Sequence, residues 1–342
     1  LVVTCPCALS LAAPAAFAAA GSRLLKRGIL LTRGHALETM SHVNHVVFDK
    51  TGTLTYGRPF LQATWPLADW EKARCLAVAA SLERASEHPL ASSFLSVVPV
   101  EALLPVDEAR NEPGKGVAGV IEGRRYTLGN RLMSPLTAEG GRLPEDLPVG
   151  ATVVWLCDGE RVLAAFALSD ELRPTAREAV VNLKRANVRV SILSGDSQAV
   201  VSHVARQLGV DSHHWEQRPE DKLRTLRAFQ LEGDVVAMVG DGVNDAPVLA
   251  GSQISIAMGS GTDVARSTSD IVLLTQNLND VVTALQTGRE SIGIMRQNFV
   301  WAIGYNLLAV PLAILGLIPP WVAALGMSAS SLVVVVNALR LR

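Results

Sequence analysis

"HVVFDKTGT", residues 45–53, is the stretch whose reading decides the fold. Its apolar run ends at Asp49 and passes directly into a turn carrying Gly52. A short apolar run closed by a glycine turn reads as a buried strand, with its polar group at the C-terminal edge. Two later stretches repeat the pattern, "VRVSILSGD" (188–196) and "VVAMVGDGVND" (235–245). Helix-like segments such as "RPTAREAVVNLKRAN" (173–187) lie between them, the βαβ rhythm of a parallel α/β sheet. Open α/β sheets bind ligands outside the carboxyl ends of their strands. Asp49, Ser194 and Asp241, distant in sequence, are therefore expected at one site.

Outward from these strands the pattern changes twice. Between the first two lies a helix-like stretch, "WEKARCLAVAASLERASE" (70–87). Strand-like pieces follow at "GVAGVIEG" (116–123), "RRYTLGN" (124–130) and "ATVVWLCDGERVLAAF" (151–166). Together they suffice for a small α+β domain inserted into the α/β core. Towards the C-terminus, Gln297 to Leu339 contains no charged residue, and Pro319-Pro320 falls in its middle. A bilayer needs about 20 apolar residues per helix, so this reads as two spans and a tight turn. Arg289, Arg296, Arg340 and Arg342 flank the pair, which puts both outer ends in the cytosol. The opening stretch, Leu1 to Ala20, is also apolar, and "AFAAA" (16–20) resembles a signal cleavage site. Its positive charges, Arg23, Lys26 and Arg27, follow the apolar core instead of preceding it, which favours a membrane helix. The expected division is a membrane helix at 1–20, the α/β domain at 21–57 and 166–292, the inserted domain at 58–165, and two membrane helices at 293–342.

The chain has 342 residues, with 31 Lys and Arg against 32 Asp and Glu, and this balance gives no electrostatic basis for a nucleic-acid partner. Four cysteines are too few for a disulfide scaffold. Cys75 and Cys157 read as buried thiols. Cys5 and Cys7 differ, because they flank Pro6 inside an apolar segment. A bridge across one intervening proline would be strained. A proline-broken helix instead turns two soft sulfur ligands inward, suited to Cu(I) or Zn²⁺.

The strand ends carry the chemistry. A carboxylate at Asp49 beside a metal and free backbone N–H groups can attack a phosphoryl group and form an aspartyl phosphate. "GDGVNDAP" (240–247) supplies Asp241, Asn244 and Asp245, the oxygen-rich set that Mg²⁺ requires. Lys222 of "PEDK" offsets phosphoryl charge, and Ser194 of "SGD" offers a hydroxyl to the same oxygens.

In this order, Asp49 to Thr55, Ser194 to Asp196, Pro219 to Lys222 and Gly240 to Pro247 resemble the signature set of the P-type ATPases, pumps of the haloacid dehalogenase-like superfamily. The resemblance implies a phosphorylation domain with an inserted nucleotide-binding domain. It makes Asp49, Lys50, Thr51, Ser194, Asp196, Lys222, Asp241, Asn244 and Asp245 the catalytic set, with Mg²⁺ on Asp49, Asp241 and the Thr51 carbonyl. Soluble phosphatases of the superfamily carry a second Asp where this chain has Thr51, which favours a pump, and Ser194 stands where the pumps usually have Thr. Glu83 and His88 of "ERASEHPLA" (83–91), with Gly114, Gly116, Gly129 and Asn130, resemble the ATP site of the heavy-metal branch. "CPC", the run Asn298, Tyr305, Asn306 and Pro311, and Met327, Ser330 and Ser331 of "MSASS" resemble its Cu(I) subgroup. That likeness implies Cys5, Cys7, Tyr305, Asn306, Met327 and Ser331 as ligands of a transported Cu⁺, Ag⁺ as a fellow substrate, and delivery by a copper chaperone. Zinc-transporting relatives carry an intramembrane Lys and Asp, absent from Gln297 to Leu339. The Thr-Gly-Glu element of the actuator domain is absent from the sequence, so that domain and further membrane helices are expected upstream of Leu1. The expected location is a plasma or bacterial inner membrane, with the soluble domains and C-terminus cytoplasmic.

Overall fold

The computed structural model describes residues 7–67, 69–84, 86, 90–112, 115–130, 133, 147–241, 245–259, 261 and 263–342. The chain divides into two compact units, the first comprising residues 1–49, 175–191 and 219–342, the second 50–174 and 192–218.

The first unit is built on a sheet ordered β1 (Ile29–Leu31), β13 (Ile271–Leu273), β12 (Ile254–Met258), β11 (Val236–Gly240) and β2 (His45–Asp49). β9 (Arg189–Leu193) comes next in the order, and its residues 189–191 belong to this unit. β2, β11, β12 and β13 are parallel, and β1 closes the edge antiparallel to β13. β2, β11 and β12 are buried at every position. Burial on both faces is why these strands read as continuous apolar runs. Helices α2 (Ala36–His42), α5 (Ala176–Arg185), α7 (Pro219–Leu231), α8 (Ala246–Gly251) and α9 (Asp263–Thr268) complete its soluble part.

Three helices of this unit are long and apolar enough to cross a membrane: α1 (Cys7–Lys26), α10 (Asn279–Ile314) and α11 (Pro320–Ala338). α1 ends on Arg23 and Lys26, which favour the negative end of its dipole, and the chain turns at Gly28 with φ +77°. At about 1.5 Å per residue, the 36 residues of α10 span about 54 Å, well beyond a hydrocarbon core of about 30 Å. Its two halves differ accordingly. Val281, Leu285, Thr287 and Ser291 are buried, whereas Val300, Ile303, Leu307 and Leu308 are exposed. Gly288 lets the buried half approach α2, since a Cβ there would meet the Leu37 carbonyl at 3.0 Å. Arg289 donates to the carbonyls of Ala186 and Val43, at the ends of α5 and α2. Ala8, Ala12, Ala302 and Val334 form the contact of the three helices, the small residues allowing close backbone approach.

The second unit holds a six-stranded antiparallel sheet, ordered β3 (Phe60–Pro66), β8 (Val162–Ser169), β7 (Thr152–Cys157), β6 (Arg124–Gly129), β5 (Gly116–Ile121) and β4 (Asp107–Glu112). α3 (Lys72–Glu83) and α4 (Ala91–Leu95) cover one face, joining Val78, Leu82 and Phe94 to Leu128, Leu156 and Phe166 in one core. Phe94 meets Phe166 edge to face at 5.0 Å. Edge strand β4, "DEARNE", is almost wholly exposed, and its charges oppose edge-to-edge pairing. α6 (Gln198–Leu208) and β10 (Ser212–His214) complete the unit, with Ser194 N–H donating to the His214 carbonyl at 3.0 Å.

Candidate active site

Asp49 closes β2 and is 4% exposed. α7 brings in Lys222, 6% exposed, and the residue ahead of α8 is Asp245, 2% exposed. The Lys222 ammonium donates to Asp49 Oδ1 at 2.6 Å and to Asp245 Oδ1 at 2.7 Å. Burial pushes the Asp49 carboxyl up to about 7; Lys222 draws it down, while Asp245 and Asp241 add to the upward push. Burial also opposes the charge on Lys222, yet the two carboxylates hold its pKa above the ordinary lysine value. Three carboxylates against one ammonium leave a surplus of negative charge on hard oxygen donors, and this donor chemistry fits Mg²⁺. Among the described residues no three His, Cys, Asp or Glu side chains form a ready-made metal cage. Mg²⁺ needs none, because it binds through one or two carboxylates, water and substrate phosphate. Asn244 lies outside the described residues.

In the second unit, Lys50 is buried and its ammonium stands 2.7 Å from Asp196 Oδ2. Asp196 also accepts from the Ser194 hydroxyl at 2.9 Å, and its own N–H donates back to that hydroxyl at 3.1 Å. Lys50, Ser194 and Asp196 thus form one hydrogen-bonded group. Thr51 is exposed, and the turn after it depends on Gly52 at φ +75°.

Two residues that sequence reasoning passed over hold this turn. Arg173, 3% exposed, donates to the carbonyls of Thr53 at 2.8 Å and Gly52 at 3.0 Å, and its guanidinium lies 4.9 Å from the Tyr56 ring centroid. Asp170 accepts from the Thr55 hydroxyl at 2.5 Å and from the N–H groups of Gly57 and Arg58, each at 3.2 Å. The first unit holds another such group at its own strands. His45 reaches Asp234 at 2.9 Å and Ser191 at 2.7 Å, and Arg189 pairs with Asp234. A single Asp or Arg in "DELRP" (170–174) carries no pattern that announces such contacts.

Of the residues expected at the nucleotide, Glu83 ends α3 at 5% exposure with one carboxyl oxygen lacking a partner among the described residues, and burial raises its pKa. Gly116 and Gly129 are partners across the β5–β6 ladder, and Asn130 N–H donates to the Lys115 carbonyl at 2.8 Å. His88 and Gly114 lie outside the described residues.

A family model for haloacid dehalogenase-like hydrolases matches residues 43–252, more than half of the chain, and a second of the same description matches 223–285. A probable copper-transporting ATPase, SynA of Synechococcus, is 40% identical over 98% of this chain and 43% of its own length. Copper-exporting P-type ATPase B of Archaeoglobus fulgidus is 40% identical over the whole chain and 51% of its own length. A solved zinc-transporting PIB-type ATPase in the E2.Pi state superposes with a TM-score of 0.77 at 34% identity, over 99% of this chain and 56% of that one. The catalytic CPx-ATPase domain CopB-B superposes at 0.63 with 28% identity, over 79% of this chain and 98% of that one. This chain belongs to the haloacid dehalogenase-like hydrolase family. It spans about half the length of the curated relatives it matches.

Those of the residues expected to hold a transported ion that are described fall on the three membrane-length helices. Cys5 lies outside the described residues, and Cys7 is the first residue of α1. The Tyr305 hydroxyl sits 2.6 Å from where a Cβ on Gly326 would be, and Met327, the residue after Gly326, is half-buried. Asn306 donates to the Ala302 carbonyl of its own helix at 2.9 Å. Ser331 is half-buried, whereas its neighbour Ser330 is buried and accepts from Trp301 Nε1 at 3.2 Å.

Proposed function

We propose that the chain is the catalytic and C-terminal membrane portion of an ATP-driven pump that exports Cu(I), with Ag(I) as a further substrate. The observation that carries this reading is the buried Asp49–Lys222–Asp245 cluster, in one unit with three membrane-length helices. Asp49 attacks the γ-phosphorus of ATP in line; the bond from that phosphorus to the β-phosphate oxygen breaks, and ADP leaves with the electron pair. Lys222 keeps the nucleophile ionised and offsets phosphoryl charge in a site shielded from water. Asp49, Asp241 and the Thr51 carbonyl would hold Mg²⁺, whose chemistry there would be Lewis-acid neutralisation of the phosphate oxygens. Lys50, Ser194, Asp196, Asn244 and Asp245 complete the catalytic set. Thr51 cannot act as a general acid or base, so the aspartyl phosphate is long-lived enough to couple to a conformational change.

The six-stranded lobe is the nucleotide domain in this proposal. Glu83 and His88 meet the adenine end of ATP, with Gly114, Gly116, Gly129 and Asn130 along the nucleotide. Cys5, Cys7, Tyr305, Asn306, Met327 and Ser331 bind the ion, the soluble units and C-terminus face the cytosol, and a copper chaperone delivers the metal. The zinc-transporting structure, at 34% identity and a TM-score of 0.77, favours a Zn²⁺ reading instead. The paired cysteines and the uncharged run from Gln297 to Leu339 support the softer, monovalent ion.

Labelled ATP tests the reading. The chain forms an acid-stable phosphoenzyme that hydroxylamine cleaves, and Asp49→Asn forms none; a label retained in that variant removes Asp49 as the nucleophile. A chain that binds copper but never takes label is a sensor. Phosphoenzyme formation stimulated more by Zn²⁺ than by Cu(I) under reducing conditions overturns the choice of ion.

A further inference from the structure

The polar end of the α10–α11 pair is built differently from its lipid-like faces. A cleft of about 460 Å³ opens there, with Gln297, Asn337 and Arg340 at one end and Leu332, Val333 and Val336 at the other. Asn298 lies in it at 1% exposure, donating to the Val334 carbonyl at 3.3 Å. Asn337 Nδ2 donates to Asn298 Oδ1 at 2.9 Å and to Gln297 Oε1 at 3.3 Å, and Arg340 donates to Asn337 Oδ1 at 3.0 Å. Each of these three amide oxygens already accepts one hydrogen bond, while the Gln297 amide and the Arg340 guanidinium keep further donor hydrogens to offer a ligand. None of the lining residues is acidic, and exposed Arg296 and Arg342 lie close in sequence.

We propose that this cleft binds one anionic phospholipid, its headgroup on Arg340 and Gln297 and an acyl chain along Val336, Val333 and Leu332. The proposal rests on α10 and α11 crossing a membrane. Leu332 stands eight residues before Arg340, about 12 Å deeper at 1.5 Å per residue. The donor end therefore lies at headgroup level when the apolar end lies in hydrocarbon. A free phosphate uses the donors and leaves the apolar half unused; a phospholipid complements both. The hydrogen bonds from Asn298 to Arg340 exist before any lipid arrives, so little ordering opposes binding.

The 342-residue chain in detergent micelles, offered phosphatidylglycerol and phosphatidylcholine with identical acyl chains, tests this by native mass spectrometry. One phosphatidylglycerol is retained with a preference of about fivefold, the size expected for one arginine near an anionic headgroup. Arg340→Gln removes the preference and Arg340→Lys keeps most of it. Val333→Trp, which fills the apolar half, lowers retention of both lipids. Equal retention of the two lipids by the unaltered chain, or an undiminished preference in Arg340→Gln, overturns the proposal. Displacement of the lipid by millimolar inorganic phosphate also overturns it, in favour of a simple anion site. Flotation with phosphatidylcholine vesicles reads insertion separately. A chain that floats yet shows no preference refutes the lipid site alone, and one that does not float refutes the membrane reading with it.

Discussion

Replacing Lys222 by Met nearly keeps the volume of the side chain and removes the charge that holds Asp49 ionised. Lys222 contacts Asp49 at 2.6 Å, with both groups buried. A hydrogen bond to a charged group contributes about 1.5–3 kcal/mol, which equals about one to two pKa units. With Asp49 at about 7 in the intact site, its loss moves the carboxyl to about 8–9. The ionised fraction at pH 7 then falls from about one half to about 1–10%, a loss of about 5- to 50-fold in phosphorylation rate. At pH 9 the two proteins differ in ionisation by no more than about twofold. The assay is quenched-flow formation of acid-stable phosphoenzyme from labelled ATP, read from pH 6 to 9, with a thermal melt at each pH. A ratio between the two proteins that stays constant from pH 7 to pH 9 refutes the reasoning, since Lys222 would then act on substrate charge alone.

Two other perturbations test the supports of the site. Gly116→Ala forces a side chain onto backbone at φ +151°, where its Cβ meets the Leu128 carbonyl and Gly129 Cα. The expected cost is about 1–3 kcal/mol, measured by denaturant unfolding of the second unit, and an unchanged midpoint discounts the strain. His45→Gln addresses pH. Burial holds His45 below its ordinary value, so between its folded pKa and about 6.5 the unfolded chain binds a proton that the folded chain does not. Stability therefore falls as pH drops through that window, by up to about 1.4 kcal/mol per pH unit, and the variant should lose this slope whatever its stability at pH 8. Equal slopes in the two proteins would assign the acid sensitivity elsewhere.

Much of the site was legible because its chemistry sits at strand ends. Fully buried parallel strands must be apolar throughout, so a carboxylate closing one, as Asp49 does, stands out in sequence. "PEDK" placed Lys222 ahead of the third strand, although only the folded chain shows its ammonium shared between Asp49 and Asp245. The grip of Arg173 on Gly52 and Thr53 was not legible, because the partners are 120 and 121 positions apart and the acceptors are carbonyls that every residue carries. His45 escaped for the same reason, its partners Ser191 and Asp234 lying 146 and 189 residues away. The glycines expected along the nucleotide acquired a second explanation. Gly116 and Gly129 face each other across one ladder so closely that neither position tolerates a Cβ.

By itself the sequence determined the parallel strands, their polar ends, the inserted lobe's helix and strands, and three segments apolar enough for a membrane. Periodicity and local composition suffice for these, because each is dictated by what one stretch must bury. Tertiary structure alone decided that Lys222 bridges two carboxylates, that Ser330 is buried beside Trp301 while Ser331 is half-buried, and that Asn298, Asn337 and Arg340 form one line of hydrogen bonds. Those facts turn on distances of a few tenths of an ångström between residues remote in the chain, and on the cost of leaving a buried polar atom without a partner.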